Sequence, residues 1–200
     1  MRGRKKPTKS ANKGAAPSGQ IRIISGQHRG RKLPVHDVVG LRPTTDRVKE
    51  TVFNWLMMDV RDAKVLDCFA GAGSLSFEAL SRFASHATMV ELDNKAAQQL
   101  TANAELLKLD NASIINTDAL SLVGAAATTQ YDLVFVDPPF NKGLASVCCE
   151  KLEANAWLES NALIYVEVES DNQDFSAPNN WQVLKEKKAG QVWCRLYQRK

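Results

Sequence analysis

From residue 64 onward, short apolar runs alternate with longer amphipathic runs, and this alternation limits the possible folds more than any other feature of the chain. Strands that alternate with helices are typical of a parallel sheet with helices on both faces. The pattern predicts strands at 64–69, 87–92, 112–116, 131–137 and 162–169 and helices at 74–82, 95–109 and 144–153. Two more strands, 181–187 and 192–198, flank a glycine-containing turn and should form an antiparallel hairpin at the sheet edge. The predicted class is therefore α/β, with one sheet of seven mostly parallel strands.

The N-terminal part of the chain differs from the rest in its charge. Residues 1–36 contain ten Lys or Arg and no Asp or Glu, which leaves 16 basic and 22 acidic residues in the remainder. Such segregated positive charge favours a polyanionic partner, because Lys and Arg displace the counterions that are condensed on phosphates. For residues 1–19, which are rich in Lys, Ser, Ala, Gly and Pro, a disordered tail without a specific role is an equally good interpretation.

The segment between this tail and the alternating region predicts a small extension. Residues 21–24 and 31–35 are expected to form a basic β-hairpin, because a glycine-containing turn separates two extended runs. A helix is predicted over 46–58, where apolar residues recur on one face and Asp46 lies near the N-terminus. The predicted organisation is a disordered basic tail (1–19), a basic hairpin and helix that favour a polyanionic partner (20–60) and the alternating α/β domain (61–200).

Neither a membrane segment nor a metal centre is expected. No apolar run approaches the roughly 20 residues that a membrane-spanning helix needs, and the basic N-terminus lacks the apolar segment of a signal peptide. We therefore expect a cytoplasmic protein, and a monomer. The four cysteines, which lack the paired spacing of a structural zinc site, should be reduced and mostly buried: Cys68, Cys148, Cys149 and Cys194.

A glycine-rich turn follows the first strand of the alternating region, in the sequence Val-Leu-Asp-Cys-Phe-Ala-Gly-Ala-Gly at 65–73. Gly71 and Gly73 permit a tight turn and the close approach of a ligand to the backbone. A dinucleotide-binding pattern requires a third glycine three positions later, where this chain has Ser76. Asp67 would repel a pyrophosphate, whereas S-adenosylmethionine has no phosphate and carries a cationic ammonium and sulfonium. The turn therefore favours S-adenosylmethionine as the cofactor.

Acidic residues after the next two strands extend this predicted site. Glu91 lies 18 residues beyond Gly73, where a carboxylate can accept hydrogen bonds from both ribose hydroxyls. Asp93 is expected to cap the following helix, although it could share the ribose. Asp118 could accept a hydrogen bond from the adenine amine, with a backbone donor from Ala119, or it could cap a helix, and the sequence leaves both roles open. The predicted cofactor residues are Asp67, Phe69, Gly71, Gly73, Glu91, Asp118 and Ala119.

An Asp-Pro-Pro-Phe segment at 137–140 follows an apolar strand and should lie at the carboxyl edge of the sheet, where ligands bind in such folds. Successive prolines stiffen the backbone and donate no N–H, so carbonyl oxygens can point into a pocket. The Asp137 carboxylate and the Pro138 carbonyl could each accept an N–H of a planar amine and orient its lone pair toward a methyl group. Phe140 could stack on the flat substrate. The alternative is a turn with a core phenylalanine; the predicted catalytic residues are Asp137, Pro138, Pro139 and Phe140.

These motifs together resemble the bacterial 16S ribosomal RNA guanine-N2 methyltransferases of the small-subunit methyltransferase D family. The resemblance covers nearly all of residues 20–199 and includes the motifs at 26–33, 41–47, 67–73, 137–140 and 190–192. It implies a Rossmann-like, class I methyltransferase fold with seven strands. It also implies that the target is the N2 amine of a guanine in 16S rRNA, and that the partner is the small ribosomal subunit or its assembly intermediate.

The resemblance also assigns roles to individual residues. It places the glycine turn and Glu91 at the cofactor, and the segment 137–140 at a flipped guanine. It implies RNA contacts for four arginines, Arg29, Arg31, Arg42 and Arg47. The chain departs from the family pattern at Ser25, where glycine is more usual, and at His28, where a larger aromatic residue is expected. If that position stacks on RNA, His28 should do so more weakly.

Other functions remain open at this point. The same kind of segment serves N-methyltransferases that act on adenine N6 in DNA or on protein glutamine, although the basic hairpin favours a nucleic acid. A ribosome-binding factor that has lost its methylation activity would bind without turnover, but intact Asp137 and Glu91 argue against it.

Overall fold

The computed structural model describes residues 19–35, 46–140, 142–172 and 174–200. Its strands are β1 (Gly19–Arg22), β2 (Lys32–Val35), β3 (Lys64–Asp67), β4 (His86–Glu91), β5 (Ala112–Asn116), β6 (Tyr131–Val136), β7 (Leu158–Glu169), β8 (Trp181–Ala189) and β9 (Val192–Arg199). Its helices are α1 (Asp46–Trp55), α2 (Ser74–Ser81), α3 (Asn94–Leu107), α4 (Ala119–Val123) and α5 (Leu144–Ala154). Every element that the sequence pattern predicts is present, with ends that differ by a few residues.

Seven strands form one sheet in the order β5-β4-β3-β6-β7-β9-β8. Strands β3 to β7 pair in parallel, whereas β9 runs antiparallel to both β7 and β8. The prediction of a mostly parallel seven-stranded sheet with a C-terminal antiparallel hairpin is confirmed. The chain builds outward from β3 to β5 on one side and from β6 to β7 on the other, so the topological switch point lies between β3 and β6. Ligands bind at the carboxyl ends of the strands beside such a point.

The structure differs from the sequence prediction at two elements. Helix α4 was not predicted, because its five residues are too few to show a helical period, and Asp118 starts it by accepting a hydrogen bond from the Ser121 N–H at 2.7 Å. Strand β7 begins at Leu158 and not at 162, because Leu158 pairs with Tyr131 across an irregularity in the register. The first part of β7 was not predicted because residues 159–161 are polar, and strands were predicted from apolar runs.

The sheet separates two hydrophobic cores, and the strand alternation decides which side chain enters which core. On β6, Leu133 and Phe135 face the core that is shared with β1, β2 and helices α1 to α3, whereas Val134 and Val136 face the core under α4 and α5. Phe53 of α1 packs edge-on against Phe135, with ring centroids 6.1 Å apart. The N-terminal hairpin and α1 are therefore built into the same core as the sheet.

A buried carboxylate joins the hairpin to α2. Glu78 accepts hydrogen bonds from the backbone N–H groups of Ile24 and Ser25 at 2.8 and 3.0 Å, and it pairs with Arg82 at 2.8 Å. The Gln27 N–H donates to the Ser81 carbonyl at 2.8 Å. These bonds hold the turn of the hairpin against the C-terminal end of α2.

The cysteines are all buried and unpaired, as predicted. In the described part of the chain, no helix is both long enough and apolar enough to cross a bilayer. Across the same residues, no group of three or more His, Cys, Asp or Glu side chains is arranged to hold a metal ion.

Candidate active site

Asp67 ends β3 and lies at the base of the glycine turn. Its side chain is only 2% exposed and accepts a hydrogen bond from the Ser76 hydroxyl at 2.6 Å. Burial raises the pKa of Asp67 to about 6, and the Ser76 hydrogen bond opposes part of that rise. None of the ion pairs among the described residues involves Asp67. A buried carboxylate of this kind is stabilised in its charged form when a cationic ligand lies next to it.

Glu91 holds the glycine turn from the neighbouring strand. One carboxylate oxygen, Oε2, accepts from the Gly71 N–H at 2.8 Å, and Oε1 accepts from the Asp93 N–H at 2.8 Å. A carboxylate has about four acceptor positions, so both oxygens can still accept bonds from a ligand. The sequence predicted a ribose ligand at Glu91, and the structure adds that the same side chain orders the loop.

Gly73 shows why this turn requires glycine. Its φ is +75°, and a Cβ atom built there would lie 2.5 Å from Phe77 and 2.6 Å from Leu100. Any side chain at this position would clash with residues packed between α2 and α3. Glycine is therefore required both by the left-handed backbone conformation and by the lack of space.

Two aspartates after β4 and β5 begin helices. The Asp93 side chain accepts from the Ala96 N–H at 2.9 Å, so its predicted role as the cap of α3 is confirmed. Asp118 caps α4, which is one of the two roles that the sequence left open. Its contact with adenine, and that of the buried Ala119 beside it, stay predictions.

The Asp-Pro-Pro-Phe segment follows β6 directly. Asp137 is partly buried, Pro138 is buried and Pro139 is exposed. The ring of Phe140 is 37% exposed, so the alternative that makes it a core residue is wrong. The segment thus presents an aromatic side chain at the surface, next to a partly buried carboxylate.

The strand pairing brings this segment close to the glycine turn. Asp67, the last residue of β3, lies opposite Phe135 of β6, and Asp137 directly follows Val136, the last residue of β6. With strands about 4.8 Å apart and a rise of about 3.3 Å per residue, the Cα atoms of the two aspartates are roughly 8 Å apart. The predicted cofactor and substrate residues therefore meet at the switch point of the sheet.

Another carboxylate, which was not predicted from the sequence, lies beside Asp137 at this edge. Val136 of β6 pairs with Val166 of β7, so the next positions are Asp137 and Glu167. Glu167 is only 7% exposed, and its Oε1 accepts a hydrogen bond from the Tyr165 hydroxyl at 2.7 Å. Burial raises the pKa of Glu167, and the Tyr165 hydrogen bond opposes that rise. An acidic residue between the two apolar residues Val166 and Val168 was the available signal.

On the side of Glu167 away from β6, Cys194 of β9 pairs with Glu167 in the sheet register. Burial raises the pKa of Cys194 to about 11, and the negative charges of Glu167 and Asp137 add to that rise. Both carboxylates therefore lie close enough to Cys194 for their charges to influence its thiol.

The arginines that are predicted to contact RNA lie at different edges of the sheet. Arg29 and Arg31 are exposed near the turn of the hairpin, and Arg31 donates to the Leu106 carbonyl, near the end of α3, at 3.4 Å. That turn is held by the C-terminal end of α2 and so lies at the amino edge, away from Asp137. Arg47 is exposed in the first turn of α1.

The position of Arg47 follows from the direction of α1. This helix leads to the start of β3 at the amino edge, and its ten residues span about 15 Å. We therefore expect its first turn, with Arg47, on the side of the carboxyl edge, where the predicted active site lies. Arg42 lies outside the described residues.

Both departures from the family pattern occur where the hairpin touches α2. The Ser25 carbonyl accepts from the Ser81 hydroxyl at 2.5 Å, and the His28 N–H donates to the same hydroxyl at 3.0 Å. Burial lowers the pKa of His28, and the nearby charge of Arg31 lowers it further. We therefore expect a neutral His28 at pH 7.

Comparison with known proteins agrees with this arrangement. The family model described as conserved hypothetical protein 95 matches residues 21–198. The ribosomal RNA small subunit methyltransferase D of Escherichia coli K12 is 56% identical over 182 residues, which cover 91% of each chain. The protein of the same name from Haemophilus influenzae Rd is 50% identical over 183 residues, which cover 90% of this chain and 94% of the relative.

A solved structure supports the same grouping. The Escherichia coli protein yhhF is 54% identical to this chain and superposes with a TM-score of 0.85, over 91% of this chain and 99% of that chain. Since the family model spans most of the sequence and two relatives share half or more of their residues with it, the chain belongs to the ribosomal RNA small subunit methyltransferase D family.

Proposed function

We propose that this protein transfers a methyl group from S-adenosylmethionine to the exocyclic N2 amine of a guanine in 16S rRNA, with the small ribosomal subunit or its assembly intermediate as substrate. The observation that carries the proposal is the pairing of β3 with β6, because it sets the Asp67 carboxylate beside the Asp137 segment. The names of the relatives, which are ribosomal RNA small subunit methyltransferases, support rRNA as the substrate class.

The cofactor residues fit a cationic, phosphate-free ligand. Asp67 is a buried carboxylate without a cationic partner among the described residues, which suits an ammonium group. Glu91 retains acceptor capacity for ribose hydroxyls beside the glycine turn. When bound, S-adenosylmethionine would supply a methyl group on a positively charged sulfur. Asp118 and Phe69 complete the proposed set around the adenosine.

The Asp-Pro-Pro-Phe segment would make the amine reactive by placement and electrostatics. Asp137 and the Pro138 carbonyl each accept one N–H, so the nitrogen lone pair points at the incoming methyl group. As the nitrogen–carbon bond forms, the carbon–sulfur bond would break and its electron pair would stay on the sulfur, which leaves as a neutral thioether. Positive charge grows on the nitrogen, and a fixed carboxylate therefore stabilises the transition state more than the ground state. The nitrogen then loses one proton, for which Asp137 is the nearest acceptor in this scheme.

Phe140 would hold the flat base by stacking. Its exposed ring leaves a face for this contact, and stacking of a base on an aromatic side chain contributes about 1–3 kcal/mol. A target base inside a folded RNA must first leave its stack, and a pocket that stacks the extruded base offsets part of that cost.

The proposal is tested with purified protein, isotope-labelled S-adenosylmethionine and small ribosomal subunits from cells that lack the endogenous enzyme. We expect label in 16S rRNA, and mass spectrometry of the digested RNA should identify N2-methylguanine at one position. Duplex DNA and bulk protein serve as alternative acceptors in parallel reactions. Methyl transfer to adenine or to glutamine alone would contradict the guanine assignment, and binding without any transfer would identify a ribosome-binding factor.

A further inference from the structure

Glu167 occupies a position beside the substrate segment that the proposed function has not used. It follows Val166, whose partner Val136 precedes Asp137, and neighbouring strands lie about 4.8 Å apart. Glu167 lies on the face of the sheet that also carries Tyr165, because alternate residues of a strand share a face. Phe135, two residues before Asp137, packs edge-on against Tyr165 with ring centroids 6.3 Å apart, and the Tyr165 hydroxyl bonds to Glu167.

A nearly buried carboxylate at this position is costly to keep for folding alone. Transfer of a charged group from water into a protein interior costs several kcal/mol unless ion pairs and hydrogen bonds compensate. Among the described residues no Lys or Arg forms an ion pair with Glu167, and the Tyr165 hydroxyl uses only one of its acceptor positions. Burial raises the pKa of Glu167, as expected for a carboxylate whose charge is only partly compensated. The remaining acceptor positions suit a ligand that brings N–H donors.

The Watson–Crick edge of guanine offers such donors. It presents the N1–H next to the N2 amine, and enzymes that take up a flipped base read it along this edge. If Asp137 and the Pro138 carbonyl hold the N2 amine and the Watson–Crick edge runs across the sheet toward β7, the N1–H is directed at Glu167. Adenine has an unprotonated N1 that accepts hydrogen bonds, so it would face the carboxylate with a lone pair.

We propose that the Glu167 carboxylate accepts the N1–H of the target guanine while Asp137 and Pro138 hold the N2 amine, so that Glu167 selects guanine. This inference rests on the proposed function, since it assumes a guanine in the pocket. Tyr165 acts as a positioning residue, because its hydroxyl donates to Oε1 of Glu167 and leaves Oε2 toward the base. Its ring is fully buried, which fixes the direction of that bond.

The test varies the base and the residue together. Small subunits are reconstituted with 16S rRNA in which the guanosine methylated by the wild-type protein is replaced by 2,6-diaminopurine riboside. This base keeps the 2-amino group but has no hydrogen on N1. The wild-type protein should methylate it with a kcat/KM roughly 10- to 100-fold lower than for guanine, as expected for the loss of one hydrogen bond to a charged group.

The matching variant is Glu167→Gln, whose amide can still accept from Tyr165 but offers an N–H donor to the base. Its kcat/KM for guanine should fall roughly 10- to 100-fold, and its preference for guanine over 2,6-diaminopurine should disappear or reverse. The dissociation constant for S-adenosylmethionine should stay unchanged. Glu159→Gln is the control, because Glu159 is a half-buried glutamate near the start of the same strand. It should behave as the wild type does.

The outcomes separate this inference from the function on which it rests. If the wild-type protein transfers no methyl group to guanine N2 in unmodified subunits, both fail. If it methylates guanine and 2,6-diaminopurine equally well, only the role of Glu167 is overturned, and this comparison needs no variant. A folded Glu167→Gln protein that keeps the wild-type preference for guanine would also overturn it.

Discussion

At the scale of single residues, three carboxylates at one edge of the sheet differ in their surroundings. Asp67 is buried without a cationic partner among the described residues, Asp137 is partly buried next to an exposed aromatic ring, and Glu167 is buried against a tyrosine hydroxyl. These surroundings suit three tasks, which are to bind a cationic cofactor, to hold an amine and to accept from a ring N–H. The substitutions below separate the first two.

Replacement of Asp137 should remove turnover but not cofactor binding. Asp137→Ala deletes the carboxylate that is proposed to stabilise charge on the nitrogen, so kcat should fall roughly 100- to 1000-fold. Calorimetric titration should give a dissociation constant for S-adenosylmethionine near that of the wild type. Asp132→Asn is the control, because exposed Asp132 lies on the same strand and bonds only to the Lys64 N–H in the described structure. A large loss of cofactor affinity in Asp137→Ala would mean that the residue has another role.

Cofactor affinity should depend on pH through Asp67. Because burial raises its pKa to about 6, the carboxylate is mostly charged at pH 7.5 and mostly neutral at pH 5. The charged form attracts the cationic cofactor, so affinity should fall as pH falls through 6, by about tenfold between pH 7.5 and pH 5. Fluorescence titration at several pH values measures this change. In Asp67→Asn the affinity should be low and nearly independent of pH, and a pH dependence like that of the wild type would assign the titration to another group.

At the scale of elements, the N-terminal hairpin is fixed to α2 by a contact that only glycine allows. Gly26 has a φ of +78°, and a Cβ atom built on it would lie 1.8 Å from the Ser81 carbonyl oxygen. Gly30, in the same turn, has a φ of +84° but no atom within 4 Å of such a Cβ. The two glycines therefore separate the cost of backbone conformation from the cost of a clash.

Alanine at these glycines should destabilise the protein to different degrees. Gly30→Ala should lower the free energy of unfolding by about 1–2 kcal/mol, the cost of a left-handed conformation with a Cβ atom. Gly26→Ala should add about 1–3 kcal/mol for overpacking against α2. Urea denaturation of both variants gives the difference. Equal losses of stability would show that the turn can move away from Ser81 without cost.

At the scale of the whole molecule, positive charge is concentrated before the sheet. Residues 1–18 carry six Lys or Arg, and the chain enters the described structure at Gly19, which pairs with Val35 in the hairpin. Val35 lines a small cleft together with Gly71 and Ala72 of the cofactor turn. Gly19, where the described structure begins, therefore lies near the proposed cofactor turn, and we expect the basic residues before it to contact RNA that is bound at the proposed active site.

Deletion of residues 1–18 should weaken RNA binding mainly at low salt. Each lost phosphate contact should reduce the slope of log K against log salt by about 0.7–0.9, because fewer counterions are released. Filter binding of small subunits at several salt concentrations measures that slope. A variant with these six basic residues replaced by Gln keeps the tail length and should show the same effect. An unchanged slope in both variants would make the tail a spacer.

The sequence alone predicted the order and type of every element except the short helix α4, and it predicted most of the residues of the proposed site. The period of apolar residues depends only on local geometry, so it predicted the sheet and its C-terminal hairpin. The turn at Gly71 and Gly73 and the segment at Asp137 are contiguous motifs at strand ends, and strand ends in parallel sheets meet at one edge.

The tertiary structure decided which distant residues become neighbours. Asp137 and Glu167 adjoin because β7 returns through α5 to pair with β6 in one particular register, and Gly26 needs to be glycine because α2 lies against it. The exposure of Phe140 and the capping of α4 by Asp118 also became known only from the folded chain. Local sequence patterns determine the backbone conformation and which side chains face the core. The register between strands and the docking of helices result instead from packing among side chains that are far apart in the sequence.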